Sequence, residues 1–358
     1  MSEKIKIMVA GCGNMGKSHA SSYHRMDEFE LLAFVSKDDG SRERLPDELK
    51  GYKHYDEFHA ALAELKPDAV SICTWPDTHA EYAVAALKAG CHVFCEKPLG
   101  ATVAEAEAVV KAAHEANRKV VVGYILRHHP SWAKFVEIGK TLGKPMVMRM
   151  NLNQQSKGKE WETHKALMNA ISPIVDCGVH YVDIMCLTTG AKPVLVQAIG
   201  ANLSKEIKDG MYNYGQLQVK FDDGSVGWYE AGWGPMMSNV AHFVKDMVGP
   251  KGSVSIVDPE KEKTDVDSSD IDSHTATNSL LVHHSEVDEN NEFVKKDEII
   301  NMSDEPGHQD LCDREQAYFL KAIQEDLDLT EHMNDAVNSL KIVIAADESF
   351  RKGEAITL

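Results

Sequence analysis

A lysine that directly follows a short apolar segment is the first residue whose type and position could support catalysis. Lys97 stands in the triplet Glu96-Lys97-Pro98, immediately after the apolar segment His92–Cys95. If that segment is a parallel strand, Lys97 lies at its carboxyl end, the edge of an open α/β sheet where ligands bind. An ammonium there can hydrogen-bond a hydroxyl and stabilise the alkoxide from which a hydride departs. Taken alone, a lysine at a strand end is more often a surface charge.

An aspartate and a histidine four residues apart form the second candidate group. Asp176 and His180 lie in a segment that is typical of a helix from about Pro173, and a spacing of four places both side chains on one helix face. Histidine titrates near neutral pH and can accept a hydroxyl proton, while the carboxylate can orient the substrate or the imidazole. As an isolated pattern, an Asp/His pair on a helix surface is the more frequent interpretation.

A glycine-rich motif predicts a nucleotide site. Residues 11–16, Gly-Cys-Gly-Asn-Met-Gly, match G-x-G-x-x-G between the apolar segment Ile5–Ala10 and a helical pattern over 17–25. The first glycine permits a tight turn, the second lets the backbone approach a pyrophosphate, and the third lets the helix pack on the strand. The helix N-terminus then faces the phosphates. The alternative is a glycine-rich turn without a ligand.

The residues that choose between NAD and NADP are expected about 20 positions further on, at the tip of the second strand. That tip contains Ser36, Lys37 and Asp38. Ser36 and Lys37 suit a 2′-phosphate, whereas Asp38 suits a 2′-hydroxyl, so the sequence leaves the choice open. A solvated turn without a cofactor role is the third interpretation.

The first third of the chain alternates apolar segments with helical patterns, which is typical of βαβ units in a parallel sheet. Its strand candidates are nearly continuous in apolar residues, as strands buried on both faces should be. They are residues 5–10, 31–35, 69–73, 92–95 and 119–122, with helices expected over 79–89 and 103–117.

From Pro145 onward the strand candidates alternate between apolar and polar residues, which indicates one solvated face. They are residues 146–152, 193–198, 216–221 and 225–233. The turn Asp222-Asp223-Gly224 joins the last two as a hairpin, so we expect an antiparallel sheet whose apolar face is covered by helices or another subunit. Residues 258–309 are acidic and indicate an exposed excursion at the sheet edge, and helices are expected over 310–323 and 333–350.

Composition narrows the functional class. A length of 358 residues favours two domains, and a formal net charge of −18 disfavours nucleic-acid or membrane binding. The seven cysteines are scattered and no signal peptide or membrane-length apolar segment is evident, so we expect reduced thiols and a cytoplasmic protein. His128 with His129, and His283 with His284, lack acidic or thiol neighbours in the sequence, and we expect no metal.

Four motifs occur in a fixed order: the glycine motif, Thr74-Trp75-Pro76-Asp77-Thr78-His79, the Glu96-Lys97-Pro98 triplet, and residues 176–183. Together they resemble the Gfo/Idh/MocA family, of the glucose-fructose oxidoreductase and inositol dehydrogenase type, and the resemblance spans nearly the whole chain. It implies an α/β fold: an N-terminal Rossmann parallel sheet over 1–124, and a C-terminal α+β domain over 125–358 built on a large open, mostly antiparallel sheet. In this arrangement the terminal helix can pack against the first domain. The open sheet is expected to form a homodimer or homotetramer.

The resemblance also implies roles for residues. Lys97 and His180 would be the catalytic pair, with Asp176 beside them to bind substrate or orient the base. Pro98 would follow a cis peptide bond. Together with the glycine loop and the second strand tip, the expected cofactor-binding residues are Gly11, Cys12, Gly13, Asn14, Met15, Ser36, Lys37, Cys73, Thr74, Trp75, His79, Glu96 and Lys97.

The substrate pocket is less defined by the sequence. Arg127, near the domain junction, and Trp161, in a polar segment, are substrate-binding candidates along with Asp176 and His180. Trp161 could stack on a pyranose ring or pack as an ordinary interior residue. Ser172-Pro173 replaces a glycine pair that many members of the family carry, which puts substrate contacts there in question.

We therefore expect an NAD(P)-dependent oxidoreductase that transfers hydride between nicotinamide and a secondary alcohol of a sugar, glycoside or inositol. One alternative is an NAD-dependent glycosidase, which oxidises a ring transiently and shows no net redox change. A second is a catalytically silent, cofactor-sensing regulatory protein, against which an intact lysine and histidine argue.

Overall fold

The computed structural model describes residues 3–238, 244–257, 277–302 and 305–358. The chain divides into two compact units. The first comprises residues 1–125 and 308–337, and the second comprises 126–307 and 338–358. The division thus differs from a single boundary near residue 124, because the first unit also takes residues 308–337.

The first unit is built on a six-stranded parallel sheet with the strand order β3-β2-β1-β4-β5-β6. Its strands are β1 (Ile5–Ala10), β2 (Phe29–Val35), β3 (Lys53–Tyr55), β4 (Ala69–Ile72), β5 (His92–Cys95) and β6 (Val120–Val122). The order reverses between β1 and β4, and a cleft at such a switch point is where doubly wound sheets bind ligands. This is the predicted Rossmann sheet, and the prediction of the fold class is confirmed.

Helices connect the strands of this sheet. They are α1 (Asn14–Arg25), α2 (Asp39–Glu43), α3 (Phe58–Leu65), α4 (Pro76–Lys88) and α5 (Val103–Ala116). Thr102 caps α5 in a capping box with Glu105, and Pro76 begins α4, where a missing amide hydrogen costs nothing. The core comprises apolar side chains of β1 and β2, with Phe94 of β5 and Phe319 from the C-terminal part of the chain.

A later helix, α10 (His308–Gln324), packs against α1 within the first unit. Asp313 accepts hydrogen bonds from Ser22 Oγ at 2.6 Å and from Arg25 at 2.5 Å. The last helix, α11 (Thr330–Lys352), begins in the first unit and ends in the second. The helices expected over 310–323 and 333–350 are therefore present.

The second unit contains a nine-stranded sheet in the order β14-β13-β12-β11-β7-β10-β9-β8-β15. Its strands are β7 (Val147–Gln155), β8 (Pro193–Ala201), β9 (Tyr214–Phe221), β10 (Val226–Gly234), β11 (Lys245–Gly249), β12 (Gly252–Val257), β13 (Ser279–His284), β14 (Glu298–Asn301) and β15 (Ile356–Thr357). Neighbouring strands are antiparallel except β7 and β10, which pair in parallel. The sheet is therefore mixed, and mostly antiparallel as predicted.

Four helices pack against the side chains on one face of this sheet. They are α6 (Pro130–Gly139), α7 (Lys159–Leu167), α8 (Pro173–Asp176) and α9 (Gly178–Thr189). Alternate residues of the strands, such as Leu217, Val219 and Tyr229, are buried, whereas Val147, Leu195 and Val226 are exposed. The alternation predicted from the sequence is thus present.

Of the acidic segment over 258–309, residues 258–276 and 303–304 lie outside the described residues. The described part forms β13 and β14 at one edge of the large sheet. Among the helices of the described residues, none has both the length and the apolar composition that crossing a bilayer requires.

Candidate functional site

The glycine loop between β1 and α1 is tightly packed at two of its three glycines. Gly11 has φ +99°, and a Cβ at this position would lie 2.3 Å from the Cys73 carbonyl oxygen. A Cβ at Gly16 would lie 2.0 Å from the Gly11 carbonyl oxygen. The backbone of the loop therefore requires glycine at both positions, one for the turn and one for helix packing.

Gly13 differs from these two glycines because its position is open. A Cβ at Gly13 would meet no atom within 4 Å, and Gly13 is the N-cap of α1 without a side-chain cap. The first turn of α1 contains no acidic residue, so no carboxylate of that turn offsets the positive end of the helix dipole. An uncapped helix N-terminus with a positive dipole end suits the phosphates of a dinucleotide.

The tip of β2 is a set of paired charges. Asp38 caps α2, accepting from the Gly40 amide at 3.0 Å and from Ser41 Oγ, and the Ser41 hydrogen bond lowers the pKa of its carboxyl. Lys37 pairs with Glu57 at 2.9 Å, and that contact raises the pKa of Lys37. Ser36, whose backbone carbonyl accepts from Arg42, is half-buried beside Cys12, and burial raises the pKa of the Cys12 thiol to about 11.

The segment after β4 is joined to the Glu96-Lys97-Pro98 loop through a histidine. His79 is 1% exposed, and its two ring nitrogens lie 2.7 Å from the Pro98 carbonyl oxygen and 3.0 Å from the Thr74 carbonyl oxygen. His79 therefore links the segment after β4 to the Glu96-Lys97-Pro98 loop and supports both. Trp75, in contrast, is 69% exposed. The peptide bond before Pro98 is cis, as expected.

The three loops meet at the carboxyl edge of the parallel sheet. The Cys73 amide donates to the Ala10 carbonyl at 2.7 Å, and the Glu96 amide donates to the Ile72 carbonyl at 2.8 Å. Lys97 follows on this edge and is half-buried, and its amide donates to Glu96 Oε2 at 3.2 Å. The structure thus brings together the predicted cofactor residues of β1, β4 and β5 and the candidate catalytic lysine.

In the second unit, the helix expected from Pro173 is divided in two at Cys177. Asp176 ends α8 and His180 lies in the first turn of α9, and both are half-buried. Cys177 Sγ lies 3.6 Å from Asp176 Oδ2. The segment is therefore helical from Pro173, as predicted, with an interruption at Cys177, whose backbone dihedral angles stay in the helical region (φ −88°, ψ −36°).

Arg127 is a structural partner of α9. Its Nε and Nη2 donate to the two carboxylate oxygens of Asp183 at 2.7 and 2.6 Å. Asp183 is fully buried, and burial raises the pKa of its carboxyl while the guanidinium of Arg127 opposes that change. A bidentate pair of this kind fixes the guanidinium. The substrate contact expected of Arg127 would therefore use a guanidinium that already binds Asp183.

Trp161 is 5% exposed and packs with Met168, Ile207 and Trp233. Its indole Nε1 donates to Glu206 Oε1 at 3.3 Å. These contacts cover the ring within the second unit and fit the packing interpretation better than the stacking one. The cluster borders Cys177, so Trp161 supports the segment that carries Asp176 and His180.

Ser172, at the position of the family's glycine pair, is buried and caps α8. Its Oγ donates to Asp347 at 2.7 Å and accepts from Tyr212 at 2.9 Å. Burial raises the pKa of the Asp347 carboxyl. These hydrogen bonds join the start of α8 to the end of α11 within the second unit. Ser172 therefore stabilises the interior of this unit.

Comparison with known proteins identifies the family. A family model described as "Oxidoreductase family, NAD-binding Rossmann fold" matches residues 5–124. A second, described as "GFO/IDH/MocA C-terminal domain", matches residues 137–254. The chain belongs to the Gfo/Idh/MocA family. It therefore carries the NAD-binding Rossmann fold of that family in its first unit.

Within the Gfo/Idh/MocA family, several relatives are named dehydrogenases. Inositol 2-dehydrogenase of Paracoccus denitrificans is 26% identical over 187 residues, 51% of this chain and 53% of the relative. UDP-N-acetylglucosamine 3-dehydrogenase of Acidithiobacillus ferrooxidans is 32% identical over 55% of this chain and 58% of the relative. The chain thus spans about half the length of these curated relatives.

A solved structure of the same fold extends the likeness to both units. The scyllo-inositol dehydrogenase of Lactobacillus casei, solved with NAD(H) and scyllo-inositol, matches with a TM-score of 0.75 at 22% identity. The match covers 99% of each chain. This likeness shows the fold.

Two residues of this Gfo/Idh/MocA protein that the sequence analysis missed lie beneath the Glu96-Lys97-Pro98 loop. His19 Nε2 lies 2.8 Å from Glu96 Oε1, and Gln316 Nε2 donates to His19 Nδ1 at 2.8 Å. The only sequence signal for His19 is its place three residues after the last motif glycine, and Gln316 comes from a helix nearly 300 positions away.

A cluster of metal-ligand residue types is also present near this loop. It consists of His19, Cys312 and Glu315, and one ligand atom of each lies within 4.8 Å of the others. Both ring nitrogens of His19 are already engaged, one by Glu96 and one by Gln316. Metal ligation would need one of these hydrogen bonds to break. The absence of a metal from this protein stays a prediction.

Proposed function

We propose that this protein is an NAD-dependent dehydrogenase that oxidises a secondary alcohol of a cyclic polyol, sugar or glycoside. The observation that carries the proposal is the shared sheet edge of the first unit. There, an uncapped helix N-terminus beside the open position of Gly13 is joined by the loop that bears Lys97. Family membership and the dehydrogenase names of its relatives support the same activity.

The residues of the glycine loop fit a dinucleotide, because Gly13 leaves space and the first amides of α1 are uncapped. The predicted remainder of the cofactor site comprises Cys12, Asn14, Met15, Ser36, Lys37, Cys73, Thr74, Trp75, His79, Glu96 and Lys97. Of these, His79 acts through the loops it joins. When bound, the nicotinamide cofactor supplies the hydride acceptor.

The protein's own groups move the proton. His180 accepts the hydroxyl proton of the substrate, and the Lys97 ammonium donates a hydrogen bond to the developing alkoxide, lowering the barrier to hydride departure. Asp176 orients the substrate or the imidazole. Lys97 lies in the first unit and His180 in the second.

We infer a preference for NAD over NADP from the charges at the β2 tip. Lys37 is paired with Glu57, Arg44 lies 3.6 Å from Asp38, and Arg42 pairs with Asp39 at 3.2 Å and with Asp56. A 2′-phosphate brings two negative charges and would need a cation released from an acidic partner, whereas Asp38 can accept from a 2′-hydroxyl.

The cofactor preference can be tested with Glu57→Gln, which releases Lys37. We expect the wild type to bind NAD more tightly than NADP, and the variant to bind NADP several-fold more tightly than the wild type, because an exposed ion pair is worth up to about 1 kcal/mol. Titration of each cofactor by calorimetry measures this. Tighter NADP than NAD binding by the wild type would contradict the inference.

We also infer a homodimer or homotetramer formed through the exposed face of the large sheet. Val147, Leu195 and Val226 stand exposed there around a shallow groove that also includes Gln197 and Trp228. Such an apolar patch on a sheet is typical of subunit contacts. Light scattering on the wild type and on Leu195→Glu should show a higher mass for the wild type, and equal monomer masses would contradict it.

A cytoplasmic location is the further expectation for this protein. All seven cysteines are free, and six of them are buried, Cys177 being partly exposed. Free thiols persist in reducing compartments.

The activity itself is tested by a screen. The purified protein is incubated with NAD or NADP and with myo-inositol, scyllo-inositol, glucose, methyl glucosides or UDP-N-acetylglucosamine, while absorbance of the reduced cofactor is followed. We expect reduced NAD to accumulate with at least one cyclic alcohol. Release of methanol from a methyl glucoside without net reduction would instead favour the glycosidase, and no turnover with any compound despite NAD binding would favour the sensor.

A further inference from the structure

Glu315 is a buried carboxyl group that the proposed reaction does not use. It lies in α10, is 1% exposed, and among the described residues neither of its oxygens has a hydrogen-bond partner. A carboxylate in such a place would lose its hydration without compensation, which is far more costly than holding a proton.

Among the described residues, the groups that act on Glu315 are acidic or uncharged side chains and a histidine. Its ligand-type neighbours are His19 of α1 and Cys312 of α10, within 4.8 Å. Glu96, after β5, acts on it electrostatically, and Glu315 in turn acts on Tyr23 and on Cys73 after β4. Tyr23 and the two thiols are neutral at pH 7, since burial raises the pKa of each.

The hydrogen bonds on the two ring nitrogens of His19 indicate which of them carries a proton. An amide nitrogen only donates, so Gln316 Nε2 requires that His19 Nδ1 accept. On its other side, Gln316 Oε1 accepts from the Tyr23 hydroxyl at 2.5 Å, which agrees with this orientation of the amide. His19 therefore holds its single proton on Nε2 and donates it to Glu96 at 2.8 Å.

Glu96 is consequently the ionised member of the pair. Its oxygens receive hydrogen bonds from His19 Nε2 at 2.8 Å and from the Lys97 amide at 3.2 Å, and both stabilise a carboxylate. The two buried carboxyls interact electrostatically, and in a low dielectric this interaction disfavours a negative charge on both, so Glu315 keeps its proton. Burial and the charge of Glu96 raise the pKa of Glu315 well above its usual range.

We propose that Glu315 carries a proton at neutral pH and acts as a positioning residue, leaving Glu96 as the single negative charge that His19 and the Lys97 amide hold in place beside the catalytic lysine. The consequence rests on the proposed function. If Glu96 lines the nicotinamide half of the site, its one negative charge favours the cationic oxidised cofactor over the neutral reduced cofactor.

The proton is tested on the protein alone, without cofactor. Glu315→Gln replaces the neutral acid by a neutral amide, and Asp310→Asn, at an exposed position of the same helix, is the matched control. Urea unfolding is measured between pH 5.5 and pH 7.5. The wild type must bind a proton on folding, so the ratio of the Glu315→Gln folding constant to that of the wild type should grow about tenfold per pH unit.

Two outcomes of this test overturn the proton on Glu315. One is a ratio that stays constant with pH, as it does if Glu315 is ionised in the folded state. The other, which holds even if Glu315→Gln folds poorly, comes from infrared spectra of the wild type at pH 7. We expect the carbonyl band of a protonated carboxylic acid, and its absence contradicts the proposal.

The charge on Glu96 is tested separately by binding. In Glu96→Gln, we expect the affinity for NAD to fall more than the affinity for the reduced cofactor, with Asp310→Asn unchanged in both. An unchanged affinity ratio overturns the role of the charge. Because the unfolding and infrared measurements need neither substrate nor cofactor, they report on Glu315 even if the protein is not a dehydrogenase.

Discussion

The guanidinium of Arg127 is held in a bidentate ion pair by Asp183, with both nitrogen–oxygen distances between 2.6 and 2.7 Å. Asp183 is fully buried in α9, and Arg127 precedes α6. The pair therefore joins the chain that begins the second unit to the helix that carries His180 in its first turn.

Removal of one partner of this pair should destabilise the protein strongly. In Asp183→Asn the guanidinium stays buried without a counter-charge, so we expect the free energy of unfolding to fall by about 3–5 kcal/mol. Urea unfolding measures it, and Asp246→Asn, at the exposed Arg149 pair, is the comparison, with an expected loss under about 1 kcal/mol. Equal losses in the two variants would show that burial of Asp183 does not matter.

The glycine loop gives a prediction that separates binding from stability. A methyl group at Gly13 meets no protein atom, so Gly13→Ala should keep the melting temperature but weaken NAD binding by roughly tenfold or more, since the methyl occupies the approach to the phosphates. Gly11→Ala should instead lower stability by about 2 kcal/mol or more, because of its positive φ and the close approach to Cys73. Unweakened NAD binding by Gly13→Ala would argue against a pyrophosphate at this loop.

Stability should fall as the solution becomes acidic, in part because of His128. Burial, and then the charge of Arg127, lower the pKa of His128 from 6.5 to about 4. In the unfolded chain the imidazole takes up a proton near pH 6.5, whereas the folded protein does not, so stability is lost as the pH falls from 6.5 towards 4.

The size of that loss follows from the difference in pKa. At about 1.4 kcal/mol per unit, His128 should cost about 3 kcal/mol between pH 7 and pH 4. The fall in unfolding free energy should be smaller by this amount in His128→Asn, measured by urea unfolding at pH 7, 5.5 and 4. The same fall in both proteins would mean that His128 takes up its proton in the folded state as well.

The sequence predicted the Rossmann sheet closely because its strands are buried on both faces. β1 and β5 occupy the predicted residues, and β2 begins two residues earlier. β3 (Lys53–Tyr55) was not predicted, since this three-residue edge strand is polar and pairs only with β2. A periodicity of apolar residues carries no information in so short a segment.

The second unit was predicted less completely for a different reason. The hairpin at Gly224 has a local turn signal and is present, whereas the parallel pairing of β7 with β10 joins residues nearly 80 positions apart. The hairpin of β11 and β12 was missed although Val254 and Ile256 alternate with serines, and β13 was missed within an acidic segment.

The candidate site was likewise predicted only where a local sequence pattern marks its residues. The motifs indicated Gly11, Gly13 and Lys97 because each has a local pattern of strand, turn and helix. Contacts over long sequence separations, such as Glu315 beneath Glu96 or Asp183 at Arg127, depend on helices that the topology brings together. No local pattern in the sequence encodes these pairs.

The central claim is that Lys97 and His180 act on one substrate hydroxyl, and it is tested most directly by kinetics on a substrate found in the screen. We measure kcat/KM for Lys97→Ala and His180→Ala, with NAD affinity and melting temperature as controls for folding. The account predicts that each variant loses about 10²–10⁴-fold in kcat/KM while it still folds and binds NAD. Undiminished turnover in either variant would contradict the account.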